Sequence, residues 1–262
     1  MIENLEQGSL NSRTNRQREI LDHVLNQGTV AYAELVNLTG KSLMTIHRDV
    51  DDLVARGLLR KFHGGVSALP TSVFESSSEF RLLRNVEKKV SLAKKAIEFI
   101  DPGMSILLDD STSSHALAKL LVDFGPLTIV TNYLPNINIL SNNPEIKLIV
   151  LGGSYSKTHD SFIGLAEETG LSSYSIDMSF LSTSTIKGAM TYHQEQEIVI
   201  MKKDMMKCSK RNFLLMDTAK VGQTSLHKLA PVKDFSDVIL NADVDRELSD
   251  EINEHTLVHF AR

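Results

Sequence analysis

The sequence predicts an α/β protein: an N-terminal winged helix-turn-helix followed by a mostly parallel α/β sensor domain. Three observations lead there. Apolar residues between Arg13 and Arg56 recur at helical spacing in three short blocks separated by glycines. A basic stretch with two adjacent glycines, Leu58 to Val66, then has the length and composition of a hairpin. From Lys88 onward, short apolar runs alternate with helical patterns, as in a parallel sheet covered on both faces.

The N-terminal elements follow in order. Thr14 and Gln17 have capping-box spacing and place a helix start there, and Ile20, Leu21, Val24 and Leu25 form its apolar stripe up to Gly28. A short second helix is expected from Tyr32 to Leu38, with Gly40 where a left-handed residue is wanted. Ser42 is placed to cap a third helix running to Arg56, and Gly57 ends it. At about 100° per residue, Leu43, Ile46, Val50, Leu53 and Val54 fall on one face of that helix. Met44, Thr45, Arg48 and Asp52 fall on the other, with His47 at the boundary. Such a small, polar, cationic face suits a major groove, where Ser42, Met44, Thr45, His47 and Arg48 would meet base edges or phosphates. The stretch Leu58 to Val66 reads as two strands about a Gly64-Gly65 turn, its Arg60, Lys61 and His63 suited to phosphate contact.

Pro70 to Glu79 is serine-rich and reads as a linker. The expected organisation is a DNA-binding domain over 13–69, a connection over 70–87 and an effector-binding domain over 88–262. In the last, a helix from Lys88 to Phe99 presents Val90, Ala93 and Ile97 on one face. Strands are expected at Ser105–Leu108, Leu127–Val130, Lys147–Leu151, Met178–Leu181, Phe213–Met216 and Val238–Leu240, with a helix over Glu195–Ser209. The residues just after these strands are small and polar: Asp109 to Ser114, Thr131-Asn132, Gly152-Gly153, Ser182 to Ser184, and Asp217 with Lys220. Ligands of open α/β sheets bind at that edge. Ser111, Thr112 and Ser113 would open a helix whose free amides favour an anion, and Lys220 would add a point charge. Asp109, Asn132 and Asp217 would bond hydroxyl groups, so the set describes a phosphorylated sugar or polyol.

Bulk properties narrow the class. The net charge of −5 means that contact with duplex DNA must rest on local charge, not on the whole surface. Cys208 is the one cysteine, so no internal disulfide forms, and a reducing cytoplasm is the expected location. The polar stretch Met1 to Gln17 does not read as a secretion leader, and no apolar run reaches bilayer-spanning length. Walker A, Rossmann, HExxH and Gly-x-Ser-x-Gly motifs are absent, so no cofactor, no metal and no catalytic residue is expected. Met201, Met205 and Met206 read as packing residues.

The segment Ser42-x-x-Thr45-Ile46-His47-Arg48-Asp49-Val50, with Leu53, Gly57-Leu58, Arg60 and His63-Gly64-Gly65-Val66, resembles the DNA-binding module of the DeoR family of bacterial sugar-metabolism regulators. The resemblance extends over nearly the whole chain. Asp109 to Ser113, Thr131-Asn132, Gly152-Gly153, Gly164, Asp177, Gly188, Glu197, Lys202, Asp217 to Lys220 and Gly222 match the family's effector domain. It implies a fold related to sugar-phosphate isomerases, and adds Asp177, Glu197 and Lys202 to the effector-binding residues. It also implies a repressor, operator DNA as partner and a homo-oligomer, dimer or tetramer, on paired half-sites. Departures are His47 where the family usually has arginine, Ser111 where glycine is common, Thr218-Ala219 in place of Ser-Ser, and fewer glycines in Ser182 to Lys187. The competing readings are an activator of the same type, and an isomerase-like enzyme using Asp109, Glu197, Asp217 and Lys220 for acid–base work.

Overall fold

The computed structural model describes residues 2–68, 78–164 and 170–262, with the side chains of 2–11 and 26 left aside. The chain forms two compact units, Met1–Arg84 and Asn85–Arg262.

In the first unit, α1 (Ile2–Gln27) leads through β1 (Thr29–Ala31) to α2 (Tyr32–Thr39) and α3 (Leu43–Ala55). The wing follows as β2 (Arg60–Phe62) and β3 (Gly65–Ser67). Ile20, Leu21 and Val24 of α1 meet Leu35 of α2, Ile46, Val50 and Leu53 of α3, and Val66 of the wing in one core. Each such side chain removed from water contributes about 1.5–3 kcal/mol. Gly40 ends α2 with φ 64°, and Ser42 caps α3 by accepting from the Thr45 amide.

Four expectations change here. The helix does not start at Thr14: α1 is already helical there, so Thr14 has no open helix end to cap. Gln17 instead donates to Asp52 (2.9 Å) and accepts from Arg56 (3.2 Å), bracing α1 against α3. Leu43 is 50% exposed, because it stands one turn ahead of the core that Ile46 enters. The wing turns at His63-Gly64, where Gly64 has φ 91°, and Gly65 is already in β3. The wing also gains a third strand, in the order β1-β3-β2. That pairing explains Gly65: a Cβ there would lie 2.3 Å from the Val30 carbonyl oxygen.

Residues 69–77, which include the first part of the connection expected over 70–87, lie outside the described residues. From Ser78 the chain is helical again. The helix α4 (Ser78–Leu83) puts Phe80 into the first unit's core, and Glu79 accepts from Arg56 at 2.7 Å.

The second unit opens with α5 (Val86–Ala96). Val90 is exposed, not core-facing; Leu92, Ala93 and Ala96 are the buried apolar residues of this helix, and Lys89 is buried as well. The next elements are β4 (Ser105–Leu108), α6 (Thr112–Leu121), β5 (Leu127–Thr131), α7 (Leu134–Leu140) and β6 (Ile146–Val150). A hairpin of β7 (Ser154–Ser156) and β8 (Ser161–Ile163) follows, then β9 (Ile176–Leu181), β10 (Thr185–Lys187) and β11 (Met190–His193). The chain ends with α8 (Gln196–Lys207), β12 (Ser209–Met216), β13 (His227–Pro231), β14 (Asp237–Asn241), α9 (Arg246–Asn253) and β15 (Leu257–Ala261). Seven strands form one sheet in the order β15-β14-β12-β9-β4-β5-β6, parallel throughout. Separate apolar clusters cover its two faces. All six predicted strands are in it; β15, the β7–β8 hairpin and the small β10-β11-β13 sheet are additions. Strand order runs outward from β4 to β6 on one side and from β9 to β15 on the other. The reversal lies between β4 and β9, and ligands of such sheets settle in the crevice at that point.

Asp49 is 1% exposed in α3 and accepts from Arg16 of α1 (2.5 and 3.2 Å) and from Arg13 (3.4 Å). Asp49→Ala leaves Arg16 without its buried partner, and should lower the stability of the first unit by about 3 kcal/mol. Urea denaturation followed by far-ultraviolet circular dichroism checks this; an unchanged first transition contradicts it.

Candidate functional site

The helix α3 and the wing carry the candidate nucleic-acid surface. Ser42, Met44 and Arg48 are exposed, with Thr45 and His47 half-buried beside them. His47 lies against the Tyr32 ring at 4.1 Å, which fixes its plane. Arg60, Lys61, His63 and Gly64 are exposed on the wing, whereas Gly65 is buried, so its part is to let β3 approach β1 and not to touch a ligand. Ion pairing then sorts the charges. Asp49 is taken by Arg16 and Arg13, Asp52 by Gln17, Arg56 and Arg13, and Asp51 by Lys61. Lys41, Arg48 and Arg60 are exposed and form no ion pair among the described residues. The acidic residues of α3 are thus satisfied around the unpaired cations, and the local surface is positive although the chain is negative. Exposed Leu43 and Met44 add an apolar edge of the kind that meets a thymine methyl group.

The second site lies at the carboxyl ends of the parallel strands. Asp109, fully buried after β4, accepts from the Ser111 amide (3.0 Å) and, across the reversal point, from the Ser182 amide after β9 (2.8 Å). Its Oδ2 also pairs with Lys202 of α8, which reaches Asp110 at 3.2 Å. Burial pulls the Lys202 pKa down, but the two carboxylates outweigh it; the net direction is up and the ammonium stays charged. Asp110 is bonded by Ser161 (3.3 Å) and lies 4.0 Å from His159, which in turn meets Glu195 at 2.8 Å. Asp110, His159, Ser161 and Glu195 were not among the predicted site residues. Asp110 lies in the polar run after β4 that the sequence already marked, whereas His159 and Ser161 are on the hairpin and Glu195 is the residue before α8.

Beside this network, Ser111 caps α6 by accepting from the Ser114 amide at 3.0 Å. Thr112 and Ser113 are 5% and 1% exposed, and their hydroxyls bond to nothing among the described residues. Their amides, the first two of the helix, have no intrahelical acceptor. Asn132 donates to the Phe162 carbonyl (3.0 Å) and to the Met201 sulfur (3.4 Å), while its buried Oδ1 has no partner among the described residues. Thr131 is engaged internally, accepting from the Tyr133 amide and from Asn136. Gly152 and Gly153 follow β6; a Cβ on Gly153 would lie 2.4 Å from the Ile163 oxygen, so this glycine lets the hairpin close. Asp217 caps the 3-10 turn Thr218–Lys220, and Lys220 donates to the Thr183 carbonyl at 3.1 Å.

Two predicted effector residues stand apart. Asp177 is at the amino-terminal end of β9, bonded by Ser105 at the start of β4 and by Lys210. That is the opposite edge of the sheet. Lys210 and the Ser105 amide and hydroxyl lower its pKa to about 2, so it stands there as an ion-paired carboxylate. Glu197 is exposed in the first turn of α8 and joins none of the bonds above.

The comparisons with known proteins agree with this division. The DeoR-like helix-turn-helix domain model matches residues 16–72, and the DeoR C-terminal sensor domain model matches residues 84–242. The L-fucose operon activator of Haemophilus influenzae is 34% identical, over 93% of this chain and 96% of that protein. The lactose phosphotransferase system repressor of Staphylococcus epidermidis is 28% identical, over 94% of this chain and 99% of its own. A ribose 5-phosphate isomerase A structure from Methanocaldococcus jannaschii is 14% identical with a TM-score of 0.39, covering 52% of this chain and 55% of that one, a likeness too slight to bear on activity.

His115 of α6 gives the site a pH signature. It is 6% exposed, bonded through Nδ1 to the Asn136 oxygen at 2.8 Å, and burial lowers its pKa from 6.5 to about 4. Between those values the unfolded chain holds a proton that the folded chain refuses. Stability should therefore fall by about 3 kcal/mol as pH drops from 6.5 to 4, and no further below that. In His115→Gln that part of the slope should vanish. Urea midpoints at pH 7, 5.5 and 4 test it, and an equal slope in both proteins overturns it.

Proposed function

The chain belongs to the DeoR family of DNA-binding transcriptional regulators, and from that premise we propose that it represses a carbohydrate-utilisation operon and is released by a phosphorylated sugar or polyol. The observation that carries the effector reading is the start of α6. There two buried hydroxyls and two open amides face no partner, at the reversal point of a parallel sheet. A phosphate supplies four or more acceptor contacts of the kind these donors lack. Close by, the unpartnered Asn132 Oδ1 accepts from a ligand hydroxyl. Lys202 is spent on Asp109 and Asp110 and adds no free charge, so Lys220 is the cation that steadies the anion.

The same bonds weigh against isomerase chemistry. Asp109 is held by two amides and an ammonium, and Glu197 lies outside the cluster, so no free carboxylate is poised as a base in their place.

For DNA, one helix-turn-helix gives limited affinity. The reading takes a symmetric oligomer on half-sites about 34 Å apart. The sign of regulation depends on where the operator lies, and the activator named among the relatives supports the alternative of activation. A promoter fusion decides: loss of the regulator raises expression for a repressor and lowers it for an activator. Among the described residues no helix is long and apolar enough to cross a membrane, which accords with a regulator working in the cytoplasm.

Arg48→Ala should weaken binding to the target duplex by about 5- to 150-fold with the fold intact, since Arg48 is exposed and pairs with no acid. Unchanged gel-shift affinity removes it from the interface. Lys220→Ala should keep DNA binding but lose at least about tenfold in sensitivity to the effector found by a thermal-shift screen of phosphorylated sugars and polyols. A wild-type dose response refutes that role.

A further inference from the structure

The chain passes from the DNA-binding unit to the sensor unit at one peptide bond, Arg84–Asn85. On the near side, α4 is fastened to the first unit by Phe80 and by the Arg56–Glu79 pair. On the far side, the first turn of α5 is fastened to the strand ends of the second unit.

An asparagine that starts a helix ordinarily turns its side-chain oxygen onto its own helix amides. Asn85 makes no such cap. Its Nδ2 donates instead to Asp217 Oδ1 at 3.4 Å. Its backbone is left-handed, φ 50° and ψ 39°, a region uncommon for a residue with a side chain and one that asparagine enters more readily than most. One turn on, Lys88 Nζ donates to Thr218 Oγ1 and to Asp243 Oδ2 (2.6 Å). Asn241, at the end of β14, donates to the Lys88 carbonyl (2.9 Å) and to Ser91 (2.8 Å). Asp217 Oδ1 also accepts from the Ala219 amide at 3.0 Å. One oxygen therefore caps the turn that carries Lys220 and holds the residue at the unit boundary.

We propose that Asn85 and Lys88 are the coupling residues of this regulator, reporting the state of the Asp217–Lys220 turn to the chain boundary beside the DNA-binding unit. The proposal rests on the effector reading given above. A ligand that draws Asp217 or Lys220 to itself competes for the oxygen that holds Asn85. Asn85 then leaves the left-handed region for the extended geometry usual at a helix start, and the path of the chain into α5 changes. The two backbone states are discrete, which gives the sensor two positions and not a continuum.

The test uses the full chain without DNA and reads amide hydrogen exchange over Ser78–Arg84, which belongs to the first unit. Asp217→Ala and Asn85→Ala should each change exchange there by at least about threefold. Asp217→Asn, which keeps an acceptor oxygen for Asn85 and Ala219, should retain the wild-type pattern in that segment. Thermal melts establish that each variant is folded. Changes confined to residues from 85 onward, or Asp217→Asn behaving as Asp217→Ala does, overturn the proposal. A second arm measures affinity for a duplex selected by the wild-type chain from a random library. Asn85→Ala and Asp217→Ala should shift Kd by at least about fivefold in the same direction, and the double variant no further than the larger single effect. Effects that multiply overturn the coupling. Failure to select any duplex sinks the regulator reading, and the exchange experiment still decides the coupling.

Discussion

The carboxylate of Asp109 is the constraint on which the sensor unit's architecture turns. It accepts from the amide after β4's end, from the amide after β9's end, and from an ammonium on α8. Of these elements, β4 and β9 are the pair where strand order reverses. A buried ion pair of this kind is a poor source of net stability, because removing both charges from water costs several kcal/mol per ion. Its effect is selective: any packing that separates α8 from the strand ends leaves a buried charge unpaired, and such packings are excluded. The network fixes the frame of the candidate site.

That use of charge decides which groups remain for the ligand. Lys202 looks like an anion receptor when only residue type and position are considered. In place, its charge is cancelled by Asp109 and Asp110, and the capacity left over beside it consists of dipoles, the amides and hydroxyls at the start of α6 and the Asn132 oxygen, with Lys220 as the proposed cation. The DNA-binding unit applies the same arithmetic with the opposite result. There the acids of α3 are paired with Arg13, Arg16, Arg56 and Lys61, and the cations left over, Lys41, Arg48 and Arg60, face solvent. Net charge of the chain predicted neither outcome, since pairing acts over a few ångströms and a formal sum has no distances in it.

Much of this was legible in the sequence, for physical reasons that can be named. The helices α2 and α3 announce themselves by glycines and a serine at their ends, and the buried parallel strands by unbroken apolar runs such as Ser105–Leu108 and Phe213–Met216. Misreadings fall where a local rule is overruled by something distant. Thr14 and Gln17 have cap spacing, but the helix simply continues through them. Leu43 and Val90 have the right period, but stand beyond the reach of the core. The edge strand β15 has exposed Leu257 and Phe260 with a half-buried His259 between them, so its alternation is blurred. In the site, residues at strand ends were foreseeable from fold logic. His159, Ser161 and Glu195 were not, because they converge toward Asp110 from the hairpin and the start of α8, segments whose only common property is where the backbone takes them. Asp177 shows the converse, a residue matched by resemblance that the strand direction carries to the wrong rim.

A switch needs stiff parts and soft parts, and the bonds of the sensor divide that way. A ligand can shift an equilibrium only by its difference in affinity for the two states, typically about 1–3 kcal/mol between coupled sites. Breaking the Asp109–Lys202 pair would demand more than that, since a lone buried charge is left behind. The tie between Asp217 and Asn85 is of another order. It is long at 3.4 Å and joins a neutral amide to a carboxylate that is already bonded to Ala219. On the coupling proposed above, effector binding acts on the tie at Asn85, which is weaker than the buried charge pair around Asp109. A ligand would move the former and leave the latter in place, which is what a sensor must do if it is to keep its binding site while changing its message.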